Sequence, residues 1–137
     1  MECKLLHEEE ASGETAELYD NIRASFGMVP NFFKAQAALD PEWAALNWQR
    51  TKKIMLTEGS LDRKTKELIA LVVSIIKGCQ YCHLAHQTMV LMSGGSQRDI
   101  NEALQVVELF QSFTTIADSL AVPCDVTPAM ITGDKDG

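Results

Sequence analysis

The sequence predicts an all-α protein, built as a compact multi-helix domain. Apolar residues recur at the three- and four-residue spacing of helices, and no stretch shows the convincing alternation of a strand. Residues that favour helix caps and helix ends stand at the boundaries of these stretches. With 46% hydrophobic and 23% charged residues over 137 positions, the chain can form a real core. We therefore expect one domain over residues 1–137, with its core at about 14–120 and a mobile acidic N-terminal end and C-terminal tail.

Three helices are expected in the first half of the chain, at Gly13–Phe26, at Phe32–Leu39 and from Asp40-Pro41 to about Gly59. Gly27 is a suitable stop for the first, because glycine accepts the left-handed conformation of a helix end. Asn31 is expected to cap the second helix. Asp40 and Pro41 form a typical start for the third, with aspartate at the cap and proline at the first helical position.

Three more helices are expected in the second half, at Leu61–Lys77, from Cys79 to about Met92 and from Gln97 to about Leu120. Ser60 is expected to cap the first of them, and Ser96 with Asp99 forms a capping-box-like start for the last. The stretch Leu68–Ile76 is apolar nearly all round, which predicts a helix buried on most sides. Its β-branched residues leave a buried strand as the alternative, but its length and the charged, helix-forming residues that precede it favour a helix.

Charge and hydropathy exclude two classes of partner. The net charge is −7, and an acidic surface repels phosphate backbones, so we expect no nucleic acid partner. The longest apolar run falls well short of the ~20 residues that a membrane span needs. The N-terminal residues lack the basic start and apolar middle of a signal peptide, so we expect a cytoplasmic protein.

The segment Cys79-Gln80-Tyr81-Cys82-His83-Leu84-Ala85-His86 places four reactive side chains within eight residues. On a helix, residues three and four apart share a face, so Cys79 lies beside Cys82 and Cys82 beside His86. Two thiols at this spacing can close a disulfide if Cys79 sits in the first turn. The helix start also favours a thiolate on Cys79, and His86 can accept the proton of Cys82.

Glu67 lies twelve residues before Cys79, where the central helix changes from charged to apolar. Gly78 lets the two helices fold back as antiparallel neighbours. Glu67 could then point into the space beside the thiols and bridge to His86, which predicts a carboxylate placed for proton transfer.

The spacing of Glu67, Cys79, Tyr81, Cys82 and His86 resembles the alkylhydroperoxidase D-like family of the carboxymuconolactone decarboxylase superfamily. The segment Phe26–Asn31 is also similar, so the resemblance covers roughly residues 14–120. It implies an all-helical fold that assembles into trimers or hexamers and reduces small peroxides without metal, flavin or haem. It also implies a dithiol reductant, either a lipoylated or a thioredoxin-like protein.

The same resemblance implies a role for each residue of the pattern. Cys82 would attack the peroxide, Cys79 would resolve the sulfenic acid, and Glu67 and His86 would move protons. Tyr81 stands where the founding enzymes have histidine, which implies a shorter relay and weaker activity.

Other interpretations of these residues remain open. Cys79, Cys82, His83 and His86 could bind zinc, although zinc ligands usually come from two separated pairs. The segment Cys79–His83 also matches the c-type haem attachment motif. His83 is more simply a packed or interface histidine, and Cys3 and Cys124 are expected to be unpaired thiols.

Two alternative functions also remain. The chain could be a non-catalytic redox-sensing oligomer whose disulfide changes its assembly. It could instead be a lactone decarboxylase of the wider superfamily, a branch that does not rely on this cysteine pair.

Overall fold

The computed structural model describes residues 2–126, and these form six α-helices without a β-strand. The helices are α1 (Gly13–Phe26), α2 (Asn31–Leu39), α3 (Pro41–Thr51), α4 (Arg63–Lys77), α5 (Gln80–Met92) and α6 (Gln97–Ser119). The predicted all-α class is confirmed. We also expected a mobile C-terminal tail, and residues 127–137 of that tail lie outside the described residues.

Contacts divide the chain into two compact units, one up to Arg63 and one from Lys64 onward. The first unit holds α1, α2 and α3 around an aromatic core. Trp48 lies edge-on to both Phe26 and Phe33, with ring centroids 5.3 and 5.5 Å away. Edge-to-face pairs at this distance add stability beyond the burial of their area. The other buried members of this core are Leu18, Tyr19, Ile22, Val29, Ala37 and Ala44.

The residues before α1 are bonded to the first unit. Glu8–Glu10 form a short 3₁₀ turn, and Glu8 pairs with Arg23 and, at 3.0 Å, with Lys34. Hydrogen bonds from Arg23, and then from Lys34, hold the pKa of the Glu8 carboxyl below its usual value. The hydroxyl of Tyr19 donates to the carbonyl of Leu6 at 2.8 Å. These bonds hold Leu6 and Glu8 against α1 and α2.

Two cap predictions are wrong, and the backbone gives the reason at the first of them. Asn31 does not cap α2 but is its first residue, since the carbonyl of Pro30 already accepts the amides of Phe33 and Lys34. Ser60 does not cap α4, which begins at Arg63, directly after Asp62. Aspartate, like serine, is a favoured residue before a helix.

The third helix keeps its predicted start but not its predicted end. Asp40 accepts the backbone N–H groups of Glu42 and Trp43, which confirms it as the cap. The regular helix ends at Thr51 and continues as a π-helical turn over Lys52–Leu56. The sequence carries no signal for this turn, because π-helical pieces lack a residue pattern of their own.

The second unit holds α4, α5 and α6 around a smaller core of Leu71, Val90 and Ile100. The residues predicted to end α4 and to start α6 do so. Gly78 ends α4 with a φ of 66°, in the left-handed region that glycine accepts. Ser96 and Asp99 form the predicted capping box at the start of α6. Hydrogen bonds from Ser96 lower the pKa of Asp99, which stabilises its charged form at this helix start.

The prediction that Leu68–Ile76 is buried on most sides is wrong for the single chain. Ile69, Val73 and Ile76 are each about half exposed, at 49%, 51% and 52%. The helix instead buries one stripe, consisting of Glu67, Leu71 and Ser74. Apolar residues lie on all sides of this helix, and the buried stripe includes a carboxylate and a hydroxyl. The distribution of apolar residues therefore did not show which face is buried.

Within residues 2–126, none of the helices has the length and apolar content needed to span a bilayer.

Candidate active site

Cys79 and Cys82 form a disulfide at the start of α5, with their Cα atoms 5.4 Å apart. This separation falls in the usual range for bridged cysteines. Cys79 occupies the N-cap of α5 in an extended conformation, and Cys82 lies in its first turn. The left-handed turn at Gly78 directs the chain out of α4 and into this cap, so the bridge sits at the junction of the two helices.

The sulfur of Cys79 also acts as the cap of α5. It accepts the backbone N–H of Cys82 at 3.3 Å, in the place that serine or aspartate usually fills. The N-terminal end of a helix carries a partial positive charge. Reduction of the bridge would therefore leave Cys79 where a thiolate is stabilised by an amide and by the helix dipole.

A buried carboxylate of α4 contacts an imidazole of α5 that lies one turn after Cys82. Glu67 on α4 is only 2% exposed, and its Oε2 lies 2.7 Å from Nδ1 of His86 on α5. A buried carboxylate needs a hydrogen-bonding partner, and His86 supplies one. The bridge of Glu67 to His86, which the spacing led us to expect, is therefore present.

Oε2 of Glu67 and Nδ1 of His86 share one hydrogen bond. With the carboxylate ionised, Nδ1–H of His86 donates to Glu67, and Nε2 is the basic nitrogen. His86 is one helical turn after Cys82, on the same face of α5. A carboxylate that orients an imidazole is one part of the arrangement by which a base activates a nucleophile.

The other residues predicted for the site, and the remaining cysteines, are described by their exposure. Tyr81 is 47% exposed on the outer side of α5. Cys79, Cys82 and His83 are all partly buried, so burial alone does not assign separate roles to the two cysteines. Cys3 and Cys124 are exposed and unbridged, as expected.

No three His, Cys, Asp or Glu side chains cluster as a metal-ligand set in the part of the chain that the structure describes. The zinc interpretation needed the two histidines to join the two cysteines. His86 instead uses Nδ1 to bond Glu67, and both cysteine sulfurs are bonded to each other.

The sequence profile of the carboxymuconolactone decarboxylase family matches residues 41–123, more than half of the chain. The chain belongs to this family. The match includes the whole Cys79–His86 segment and Glu67, so the candidate site lies inside the family region.

A solved relative supports the family assignment at the level of the fold. The crystal structure of the alkylhydroperoxidase AhpD core from Rhodospirillum rubrum superposes with a TM-score of 0.76 at 30% identity. The similarity covers 82% of this chain and 83% of that one. The all-α fold is thus that of an AhpD core.

Two curated relatives share part of their length with this chain. The alkyl hydroperoxide reductase AhpD of Corynebacterium kroppenstedtii is 30% identical over 107 residues, 75% of this chain. The uncharacterized protein 4 in the cox locus of Paracoccus denitrificans is 32% identical over 73 residues, 53% of this chain. The alignment spans 61% of the length of each of these two proteins.

One polar cluster of the first unit was not recognised in the sequence. Gln36, Asn47 and Arg50 form a hydrogen-bonded row beside a groove. The available signal was a glutamine inside the apolar stretch of α2, a position where a polar side chain needs a buried partner.

Proposed function

We propose that this member of the family is a thiol-dependent peroxidase that reduces small alkyl hydroperoxides. The observation that carries the proposal is the Cys79–Cys82 bridge at the start of α5, followed one turn later by His86, which is hydrogen-bonded to the buried Glu67. A reversible dithiol supplies two electrons, and an adjacent acid–base pair supplies the proton transfers that peroxide cleavage needs. Two relatives support the same choice of reaction by their names, the alkyl hydroperoxide reductase AhpD of Corynebacterium kroppenstedtii and the alkylhydroperoxidase AhpD core of Rhodospirillum rubrum.

The reaction begins on the reduced protein. The thiolate of Cys82 attacks the terminal oxygen of the hydroperoxide, and the O–O bond breaks. Cys82 becomes a sulfenic acid, and the departing alkoxide takes a proton and leaves as the alcohol. The thiol of Cys79 then attacks the sulfenic sulfur, releases water and forms the disulfide.

Glu67 and His86 are the proposed proton carriers of this cycle. Nε2 of His86 takes the proton of the Cys82 thiol, and Glu67 stabilises the resulting imidazolium through the 2.7 Å bond. The same pair returns a proton to the leaving alkoxide. Tyr81, exposed on the outer side of α5, is proposed to contact the substrate or the reductant at the edge of the site.

A dithiol protein, either lipoylated or thioredoxin-like, is the proposed reductant. The disulfide must regain two electrons and two protons after each turnover, and thiol–disulfide exchange delivers both. The cycle requires a reducing compartment, which is why we propose that the protein acts in the cytoplasm.

The experiment that tests this function measures consumption of an alkyl hydroperoxide, such as cumene hydroperoxide, with dihydrolipoamide as the dithiol. We expect turnover with equal amounts of alcohol formed and dithiol oxidised. A protein that consumes no peroxide but releases carbon dioxide from a γ-carboxylactone would instead belong with the decarboxylases of its family.

We also propose that the protein is a homo-oligomer, a trimer or a hexamer. Apolar side chains follow one another along α6 and onto its C-cap at alternating spacings of three and four residues, and each is more than 40% exposed. They are Val106, Leu109, Phe113, Ile116 and Leu120. Apolar residues at this spacing form the stripe along which the helices of a coiled coil pack, and we call these five residues the seam. In a monomer the seam would be exposed to water.

Sedimentation velocity at micromolar concentration is expected to give an oligomer that Phe113→Glu dissociates. A charge placed in the seam must be desolvated when the helices pack, and that opposes association. The matched control is Thr115→Glu, an exposed position of the same helix that lies off the seam. A wild-type monomer, or equal dissociation by both variants, would contradict the proposed assembly.

A further inference from the structure

A groove in the first unit has the composition of a ligand site. It has a volume of about 520 Å³ and is lined by Phe32, Gln36, Trp43, Asn47, Arg50, Thr51, Ile54 and Met55. This volume falls within the range of small-molecule sites, roughly 300–1,000 Å³. All eight lining residues belong to α2, α3 and the π-helical turn that follows α3.

The floor of the groove is polar and fixed by hydrogen bonds. Gln36 is only 5% exposed, and its Nε2 donates to the carbonyl of Phe32 at 3.3 Å. Its Oε1 accepts Nδ2–H of Asn47 at 2.6 Å. Asn47 in turn accepts Nη1–H of Arg50 at 3.1 Å. The last of these bonds places one nitrogen of the exposed Arg50 guanidinium at the groove.

The charge of Arg50 has no counterion among the described residues. Its side chain bonds Asn47, and no carboxylate of residues 2–126 lies within ion-pair distance of it. By contrast, Arg23 pairs with Glu8 and Asp20, and Arg98 pairs with Glu102. The groove lining contains no acidic residue, although the chain as a whole carries a net charge of −7. The groove is thus a local cationic site on an acidic protein.

The walls of the groove are apolar and accessible. Phe32, Trp43 and Ile54 are 51%, 46% and 58% exposed, and Met55 completes the lining. The π-helical turn of Lys52–Leu56 places Ile54 and Met55 here, and such turns occur frequently at functional sites. One fixed cation beside apolar walls matches a ligand that has one anionic group and an apolar body.

We propose that this groove binds a small monocarboxylate with an apolar body. The carboxylate pairs with the guanidinium of Arg50, a geometry that allows two parallel N–H···O bonds. The apolar body lies against Trp43, Phe32 and Ile54, where burial of apolar area contributes to affinity. The groove lining shares no residue with the candidate active site, and the proposal does not depend on the peroxidase assignment.

The test titrates the full chain with octanoate and with its uncharged analogue octanamide, following tryptophan emission. Of the two tryptophans, Trp43 lies at the groove and Trp48 is buried at 2% exposure. If the response to ligand comes from Trp43, it should be lost in Trp43→Phe, which retains only Trp48. Octanoate is expected to saturate the signal and to bind roughly 10- to 100-fold more tightly than octanamide. The ratio follows from the strength of hydrogen bonds to charged groups.

Arg50→Gln is expected to remove the preference for octanoate while leaving the binding of octanamide nearly unchanged. Arg98→Gln is the matched control, because it removes one exposed arginine outside the groove and should retain the preference. Circular dichroism of each variant checks that the helices remain.

Four results would overturn the proposal. The first is equal affinity for octanoate and octanamide in the wild-type protein. The second is a preference that survives Arg50→Gln, and the third is no saturation at millimolar ligand. The fourth is a Trp43 emission that changes when an oligomer is diluted but not when octanoate is added, which would show that a second copy of the chain fills the groove.

Discussion

Cys82→Ser is expected to abolish peroxide consumption. The serine hydroxyl holds its proton at neutral pH and is a far weaker nucleophile than a thiolate, so no sulfenic acid forms and the cycle does not begin. The measurement is the initial rate of cumene hydroperoxide loss with dihydrolipoamide present. Cys124→Ser, which removes an exposed and unbridged cysteine, is the matched control and should retain the wild-type rate.

Cys79→Ser separates the two roles. This variant should react once with peroxide and stop, because the sulfenic acid on Cys82 has no resolving thiol. A dimedone-type probe followed by peptide mass spectrometry should find the adduct on Cys82. If Cys82→Ser instead gives an adduct on Cys79, while Cys79→Ser gives none, the assignment of attacking and resolving cysteine is reversed.

Glu67→Gln and His86→Ala are each expected to slow peroxide reduction by about 10²–10⁴-fold, the usual contribution of positioned proton transfer. Glu67→Gln keeps the shape of a side chain that is 2% exposed, so it removes the charge with little change in packing. The rate to measure is single-turnover oxidation of the reduced protein by peroxide.

The double variant shows whether Glu67 and His86 act together. They share one 2.7 Å hydrogen bond, so the combined loss should be smaller than the product of the separate losses. His83→Ala is the matched control on the same helix and should change the rate only slightly. Independent, multiplying effects of Glu67→Gln and His86→Ala would rule out a single relay.

The local signals of the sequence predicted much of the fold. Gly27 and Gly78 end their helices, Asp40 caps α3, and Ser96 with Asp99 caps α6, as expected from residue type alone. These features depend on a few neighbouring residues and on backbone conformation. That is why they can be predicted without knowledge of the tertiary contacts.

Features that depend on tertiary packing were harder to predict. An apolar helix such as Leu68–Ile76 does not show which face its own chain covers, and the buried stripe proved to contain Glu67 and Ser74. The contact between Glu67 and His86 was expected from their positions on two helices that Gly78 lets fold back as antiparallel neighbours. Asn47 and Arg50 are three residues apart on α3, but the bond from Asn47 to Gln36 joins two helices at positions that no spacing rule links.

The most direct measurement of the central claim is a count of thiols before and after one equivalent of alkyl hydroperoxide. The chain has four cysteines, so the fully reduced protein should show four thiols. After one equivalent of peroxide we predict two, with Cys79 and Cys82 joined and with Cys3 and Cys124 still free. A count that stays at four, or a loss that falls on Cys3 or Cys124 while Cys79 and Cys82 remain reduced, would contradict the account.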